Sequence, residues 1–386
     1  MSGGEKPKFK RRRLIGAVCS LASLTVLTYI AIALISGRGL SLSWVKGIFS
    51  KNAPVEFADE YNFDVGRERV FAILNNSIAS AGTLGIQVLD AGGSNTLRDP
   101  FRMSIPAIDA QEGRAIAFDI GGTAARVFSD TDFIASIETS SAIISASINR
   151  NGWFCVCAQE SAGYKGAVTV YNSKGVEAYK VRLASGYILT AALSPDNKTL
   201  AILNFTDGGS CITFYNLNSE DAANTYFLPD GLIIDIMYLS GGDLLAVSKD
   251  SLITIDKNGA DRELYGFSGG ILSGYALTGG FIAVHLLDYG VGYNGRLVTL
   301  GVNGDIIGEL AINREIISMS TGGELLAILR SDGLIFYDSH LDEIPQHGEP
   351  GAAIGATKVL VLTGDAALAA GDHSAVVIRV IRADER

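Results

Sequence analysis

The sequence predicts an all-β fold, a β-propeller of eight blades behind one N-terminal transmembrane helix, with seven blades as the alternative count. Three observations carry this expectation. A turn residue followed four positions later by a small or apolar residue recurs at Glu68/Ala72, Gly113/Ala117, Gly152/Val156, Asn197/Ala201, Gly242/Ala246, Gly279/Ala283, Gly323/Ala327 and Asp365/Ala369. Successive anchors lie 37 to 45 residues apart, a period that matches one four-stranded sheet per repeat. Within each repeat, short runs of Val, Ile, Tyr and Phe are bounded by Gly, Asn, Asp and Ser, and no helical pattern appears after Lys51.

Taken in order, residues 1–13 form a basic tail, with Lys6, Lys8, Lys10, Arg11, Arg12 and Arg13 against Glu5 alone. Leu14 to Ser36 then runs for 23 residues without a charge. At ~1.5 Å per residue this exceeds the ~30 Å hydrocarbon thickness of a bilayer, so it is read as a single-pass span. Basic flanks stay cytoplasmic, which places the C-terminal domain outside the cytoplasm. A cleaved signal peptide ending near Ala31-Ile32-Ala33 is the competing reading. The apolar run is longer than the ~7 to 15 residues of a typical signal-peptide core. Residues 37–54 read as a juxtamembrane linker, where Trp44, Lys46 and Phe49 suit the headgroup level.

Residues 55–386 are expected to form the propeller. The last repeat stops early, with Lys358–Leu362, Ala366–Ala369 and Ala375–Ile381 giving three strands. Val55–Asp59 has no other partner and is predicted to supply the missing fourth, closing the ring and removing its open edges.

Beyond residue 13 the chain carries 25 basic and 40 acidic residues, a formal charge of −15. Nucleic acid is thereby excluded as a main partner, since phosphate binding rests on Lys and Arg. Four cysteines are too few for a disulfide framework. Cys155 and Cys157 alternate along a predicted strand and read as buried small hydrophobes, with a pairing to Cys211 left open. The histidines His285, His340, His347 and His373 fall in separate repeats without ligand spacing and read as surface or loop residues. No metal site, cofactor or catalytic constellation is predicted. The carboxylate pairs Asp342-Glu343 and Glu220-Asp221 read as solvated loops.

Ser194-Pro195-Asp196-Asn197-Lys198-Thr199-Leu200-Ala201 resembles the Ser-Pro-Asp-Gly-Lys-x-Leu-Ala turn of WD40-like and TolB-type propeller repeats. Asn197 replaces glycine there, and Asn tolerates the left-handed conformation. As a whole the chain is similar to bacterial membrane-anchored proteins with WD40-like or quinoprotein-like propellers. The resemblance implies a fold and a location and does not imply a reaction. Asp119-Ile120-Gly121-Gly122-Thr123 resembles the phosphate-binding hairpin of sugar kinases. It falls, however, at the offset of a second-to-third strand turn, like Lys249-Asp250 and Ser331-Asp332. Quinone-cofactor dehydrogenases share the eight-bladed form, but Trp153 is the one tryptophan beyond Trp44, so their recurrent tryptophan docking is absent.

In a propeller, the loops from second to third strand and from fourth strand to the next blade share one rim. Long second-to-third loops are predicted at Asn75–Gly82, Gln159–Gly166, Thr206–Ser210 and Asp288–Gly295. Tyrosine gives large contact area at small entropic cost. The candidate binding residues are therefore Tyr164, Lys165, Asp288, Tyr289 and Tyr293. The expected function is a non-catalytic protein-binding or ligand-sensing platform anchored in the membrane by its N-terminal helix. The alternative is an envelope enzyme acting on a glycan or peptide in the central funnel. That alternative requires acidic or histidine side chains converging from the first strands of several blades.

Overall fold

The computed structural model describes residues 56–381 apart from 162, 220, 278, 279, 349 and 373. The tail, span and linker expected over 1–54, together with Val55, lie outside the described residues. Among the described residues no helix is long and apolar enough to cross a membrane.

Eight four-stranded antiparallel sheets follow one another, each pairing its strands in sequence order except the last. Their innermost strands are Val70–Leu74, Pro106–Gln111, Ile143–Ile148, Tyr187–Leu193, Ile233–Tyr238, Ile271–Ala276, Ile316–Gly322 and Ala356–Thr363, opening blades 1 to 8. The count of eight is that expected, so the alternative of seven falls. Second and third strands are buried nearly throughout, as in Leu244–Ser248 and Ser251–Ile255 of blade 5. They are covered on both faces by neighbouring blades, which is why their sequences run continuously apolar. Outer strands alternate exposed and half-buried, as Glu177–Leu183 does in blade 3. The core is thus a set of wedges between blades. Ala201, Leu203, Ile212 and Phe214 of blade 4, for example, pack with Ile236, Leu244 and Ala246 of blade 5.

The first-to-second turns follow the repeat motif. Asn197 adopts φ 59°. Ser194 Oγ accepts the Thr199 N–H at 2.9 Å and donates to Asp196 Oδ1 at 2.7 Å. The first anchor is displaced. Glu68 does take a positive φ, yet the turn lies at Asn75-Asn76, between Val70–Leu74 and Ser77–Gly82. Ala79 is then the counterpart of the small residue, and Ala72 lies within the preceding strand.

Closure is real but its strand lies further along than Val55–Asp59. Glu60–Tyr61 pairs with Ala375–Arg379, Glu60 opposite Val376 and Tyr61 opposite Ala375. Asp59 still contributes, its carbonyl accepting the Val377 N–H at 2.8 Å. The reason is the apolar alternation Phe57, Tyr61, Phe63, Val65. These side chains are all buried against Phe71 of blade 1 and Leu368, Ala370 and Val377 of blade 8. Arg379 adds an ion pair to Asp59 at 2.6 Å and a hydrogen bond to the Phe57 carbonyl.

Cys155 and Cys157 are buried as expected, and these two and Cys211 are all free thiols. Burial pushes the Cys155 thiol up to about 12, which makes it inert as a nucleophile. His285 departs from expectation. It sits in the second strand of blade 6, Ile282–Leu287, only 2% exposed, and burial holds its pKa below the ordinary histidine value. Neither ring nitrogen has a hydrogen-bond partner. His340 and His347 are exposed, and His373 is outside the described residues.

Candidate functional site

Two regions offer a site, the rim of second-to-third and blade-to-blade loops, and the axial channel. On the rim, two of the four expected long loops exist. The blade 3 loop joins Phe154–Ala158 to Gly166–Tyr171, and the blade 6 loop joins Ile282–Leu287 to Gly295–Leu300. Residues 77–82 are a strand, with a turn at Thr83-Leu84. Strands Thr199–Thr206 and Gly209–Asn216 run on to a two-residue turn. In both cases strand pairing consumes residues that looked like loop.

Tyr164 and Lys165 sit in the blade 3 loop within a charged and aromatic patch. The Lys165 ammonium lies 5.7 Å from the Tyr187 ring centre, and the Arg182 guanidinium 6.0 Å from that of Tyr164. Glu160 bridges Arg182 at 3.2 Å and Lys180 at 3.8 Å. Its pKa is lowered first by the Ser161 N–H and then by Arg182. Asp288, Tyr289 and Tyr293 belong to the blade 6 loop, three blades away, so the five candidates form two patches. Tyr289 is 72% exposed and Tyr293 50%, with Val291 between them at 92%. These rings project into solvent and do not lie back on the blades.

What sequence reasoning missed is the apolar ground between the patches. Tyr187, Phe205, Phe227, Leu232, Ile234 and Ile271 are also exposed, all on blades 4 to 6 and all at or beside strand ends on the same rim, Leu232 in the loop between blades 4 and 5. Tyr187 and Phe205 are direct cross-strand partners. Of the 19 exposed large hydrophobic side chains among the described residues, only Phe133, Val176, Val302 and Ile306 lie toward the opposite face. Of the 15 on this rim, ten lie on blades 3 to 6 and form an aromatic and aliphatic crescent, while Leu84, Ile105, Ile120, Ile317 and Ile354 are scattered over the other four blades. Strand alternation alone reads Phe205 and Phe227 as core, whereas both lie exposed near the rim ends of eight-residue strands, Thr199–Thr206 and Ala222–Pro229.

The axial channel holds about 510 Å³ and is lined by the innermost strands of blades 2 to 8. Asn149, Arg150, Pro195 and Tyr238 mark its opening on the first-to-second turn face. Two carboxylates line it, Asp109 of blade 2 and Asp235 of blade 5. Burial pushes Asp109 up to about 6, with the like charge of Asp235 adding, while the N–H groups of Ile148 and Ala110 pull down. Asp235 is raised for the same reason, opposed by the Tyr275 hydroxyl and the Ile236 N–H.

Both carboxylates bind neighbouring blades together. Asp109 Oδ2 accepts the Ile148 N–H at 2.8 Å, and Asp235 Oδ2 accepts the Tyr275 hydroxyl at 3.0 Å. Other inner-strand polar groups do likewise. Ser147 Oγ donates to the Ala191 carbonyl at 2.7 Å, and Ser318 and Ser320 accept the N–H groups of Val359 and Val361. At the opening, Arg150 reaches Ser240 Oγ at 3.0 Å, and Asn149 Nδ2 reaches Asn197 Oδ1 at 2.6 Å. Among the described residues no three metal-ligating side chains come together.

The kinase-like hairpin is likewise committed to structure. Asp119 Oδ1 accepts the N–H groups of Ser104 and Ile105, at 2.8 and 2.7 Å. The amides of Gly121 and Gly122 donate to the carbonyls of Ile143 and Asp119. These two glycine amides, which would help to cradle a phosphate, are spent on the turn and on the next blade.

Among curated protein sequences no significant relative is found. The solved structures most usefully compared are propellers. The C-terminal WD40 domain of Sif2 superposes with a TM-score of 0.60 at 12% identity, over 86% of this chain and 100% of that one. Sqt1 from Saccharomyces cerevisiae gives 0.59 at 10% identity, over 85% and 100%. BamB from Moraxella catarrhalis gives 0.53 at 15% identity, over 84% and 99%. At such identities the likeness is one of fold. A family model matches residues 51–340, three quarters of the sequence, and on that match the chain belongs to the family of unknown function DUF5711.

Proposed function

We propose that this protein is a non-catalytic docking platform for a protein partner, anchored by the apolar run 14–36 and holding its propeller outside the cytoplasm. The working surface is the crescent of blades 3 to 6. Its support is the one-sided distribution of exposed apolar side chains, concentrated on blades 3 to 6, since exposed apolar surface with aromatic anchors is what a protein interface needs at its centre. The topology fits. Phe57 lies beside Arg379, at the turn-face end of blade 8, so the described chain enters the propeller on the face opposite the crescent. The polar groups of the channel hold adjacent blades together, which weighs against the funnel-enzyme reading.

The double variant Tyr289→Ala, Tyr293→Ala tests this. Both rings are exposed, so thermal stability is expected to stay within about 0.5 kcal/mol of wild type. Recovery of the crosslinked partner from intact cells is expected to fall at least about tenfold, the loss of one interface anchor. Unfolding of the double variant, or unchanged recovery, would refute the assignment.

A further inference from the structure

The crescent of blades 3 to 6 is divided by charge. Blade 3, between Ile143 and Leu183, carries five basic residues against two acidic, and no other blade has a net positive charge. Three of the five, Lys165, Lys180 and Arg182, gather on the rim around Glu160, which offsets one of them. The other two, Arg150 and Lys174, lie at turns on the opposite face. Lys165 makes no ion pair among the described residues. Its ammonium is held instead over the ring of Tyr187, which belongs to blade 4. The cations therefore adjoin the apolar ground and are continuous with it.

Blades 4 to 6 bear the other sign. Asp207 follows Phe205 by two residues, Asp230 precedes Leu232 by two, Asp250 sits in the second-to-third turn of blade 5, and Asp288 adjoins Tyr289. All four are exposed, and none makes an ion pair among the described residues. The rim loops that hold them contain one basic residue, Lys249. Each carboxylate thus stands beside an exposed apolar side chain or loop of the crescent with its charge uncompensated. Charges at an interface rim fix register and reject partners of like sign more than they add affinity.

We infer that the partner is a polypeptide whose contact segment is bipolar. It is apolar and aromatic along its middle, basic where it covers blades 4 to 6, and acidic where it reaches blade 3. The inference rests on the docking reading above and gives that partner its chemistry. Apolar contact supplies the affinity, and the two poles set the direction in which the segment lies. An anionic membrane surface is the other candidate for an apolar rim with lysines. It would be attracted at blade 3 alone and repelled by the four aspartates beyond it.

The test uses the full chain in mild detergent at about 20 mM salt, where charges are felt over about 20 Å. The probe is a capped fluorescent peptide with a glutamate-rich end, a leucine and tryptophan middle and a lysine-rich end, made in both chain directions. Two controls carry glutamate, or lysine, at both ends. One bipolar peptide is expected to bind at least about fivefold more tightly than either control. Lys165→Glu with Arg182→Glu should weaken that peptide at least about fivefold and tighten the all-lysine control. Asp230→Lys with Asp288→Lys should weaken it too, but tighten the all-glutamate control. A folding defect cannot produce these opposite responses. Lys174→Glu makes the same kind of change on the opposite face and leaves all binding unchanged. The inference fails if no peptide binds below about 1 mM, if a control binds as well as the bipolar peptides, or if the reversals weaken every peptide alike. It fails too if phosphatidylglycerol vesicles capture the protein in preference to every peptide. Photo-crosslinking from Tyr289 in cells separates this claim from the one it rests on. Crosslinks that survive both pairs of reversals keep the docking surface and overturn its polarity, whereas no crosslink from any crescent position overturns both.

Discussion

Asp109 links a single side chain to the pH dependence of the whole propeller. Its folded pKa near 6 lies above the unfolded value of about 4. Its stabilising contribution is therefore full below about pH 4 and is lost as pH rises through 6. Asp109→Asn keeps an acceptor for the Ile148 N–H and removes the buried charge. It should raise stability at pH 7 by roughly 2 kcal/mol, channel water screening part of the effect, and the gain should vanish at about pH 4 in urea titrations. His285 works in the opposite sense. With its folded pKa depressed by burial, its contribution is present above the unfolded value and lost as pH falls. His285→Leu should stabilise by about 1 kcal/mol at neutral pH, because two unpartnered buried nitrogens are removed, and should reduce acid lability in the same titrations. Asn197 was legible in the sequence, since the turn chemistry is local. Asp109 and His285 were not. Each is an isolated polar residue in a strand, and only the packing of the next blade decides whether it points at solvent, channel or core.

At the scale of elements, the closing strand carries the most testable energetics. Tyr61 is fully buried and its hydroxyl donates to the Ala91 carbonyl of blade 1. Tyr61→Ala should therefore cost about 3 kcal/mol in equilibrium unfolding. Glu56→Ala, at an exposed site just upstream, should change stability by less than about 0.5 kcal/mol. A Tyr61→Ala protein as stable as wild type would mean that the ends do not seal the ring. That some N-terminal strand completes the last sheet was readable, because three strands without a fourth leave an open edge. Its register was not. Phe57, Tyr61, Phe63 and Val65 offer several apolar alternations, and the choice among them depends on Phe71 and Leu368, far apart in sequence. The same limit misplaced the first repeat, where Glu68 and Asn75 both take left-handed turns but only Asn75 lies between paired strands. Loop lengths at 75–82 and 206–210 were overestimated for a related reason. Gly and Ser there sit in paired strands, where Gly82 and Gly209 let backbones approach closely.

At the scale of the molecule, a regular period makes the architecture legible, because each blade buries its faces only against its neighbours and the count must close. Function is less legible because the crescent is a property of the assembled ring. Tyr187 and Phe205 come from two strands of blade 4 and Ile271 from blade 6, and no short stretch of sequence brings them together. The central claim is that this rim is the surface that meets a partner. Its most direct test is a photo-crosslinking amino acid placed singly at Phe205, Tyr289 and Val291 on the crescent, and at Phe133, Val176 and Val302 on the opposite face, in the full chain in cells. The account predicts the same discrete crosslinked species from the three crescent positions and none from the other three. Crosslinks of equal yield from both faces, or from the opposite face alone, would contradict it.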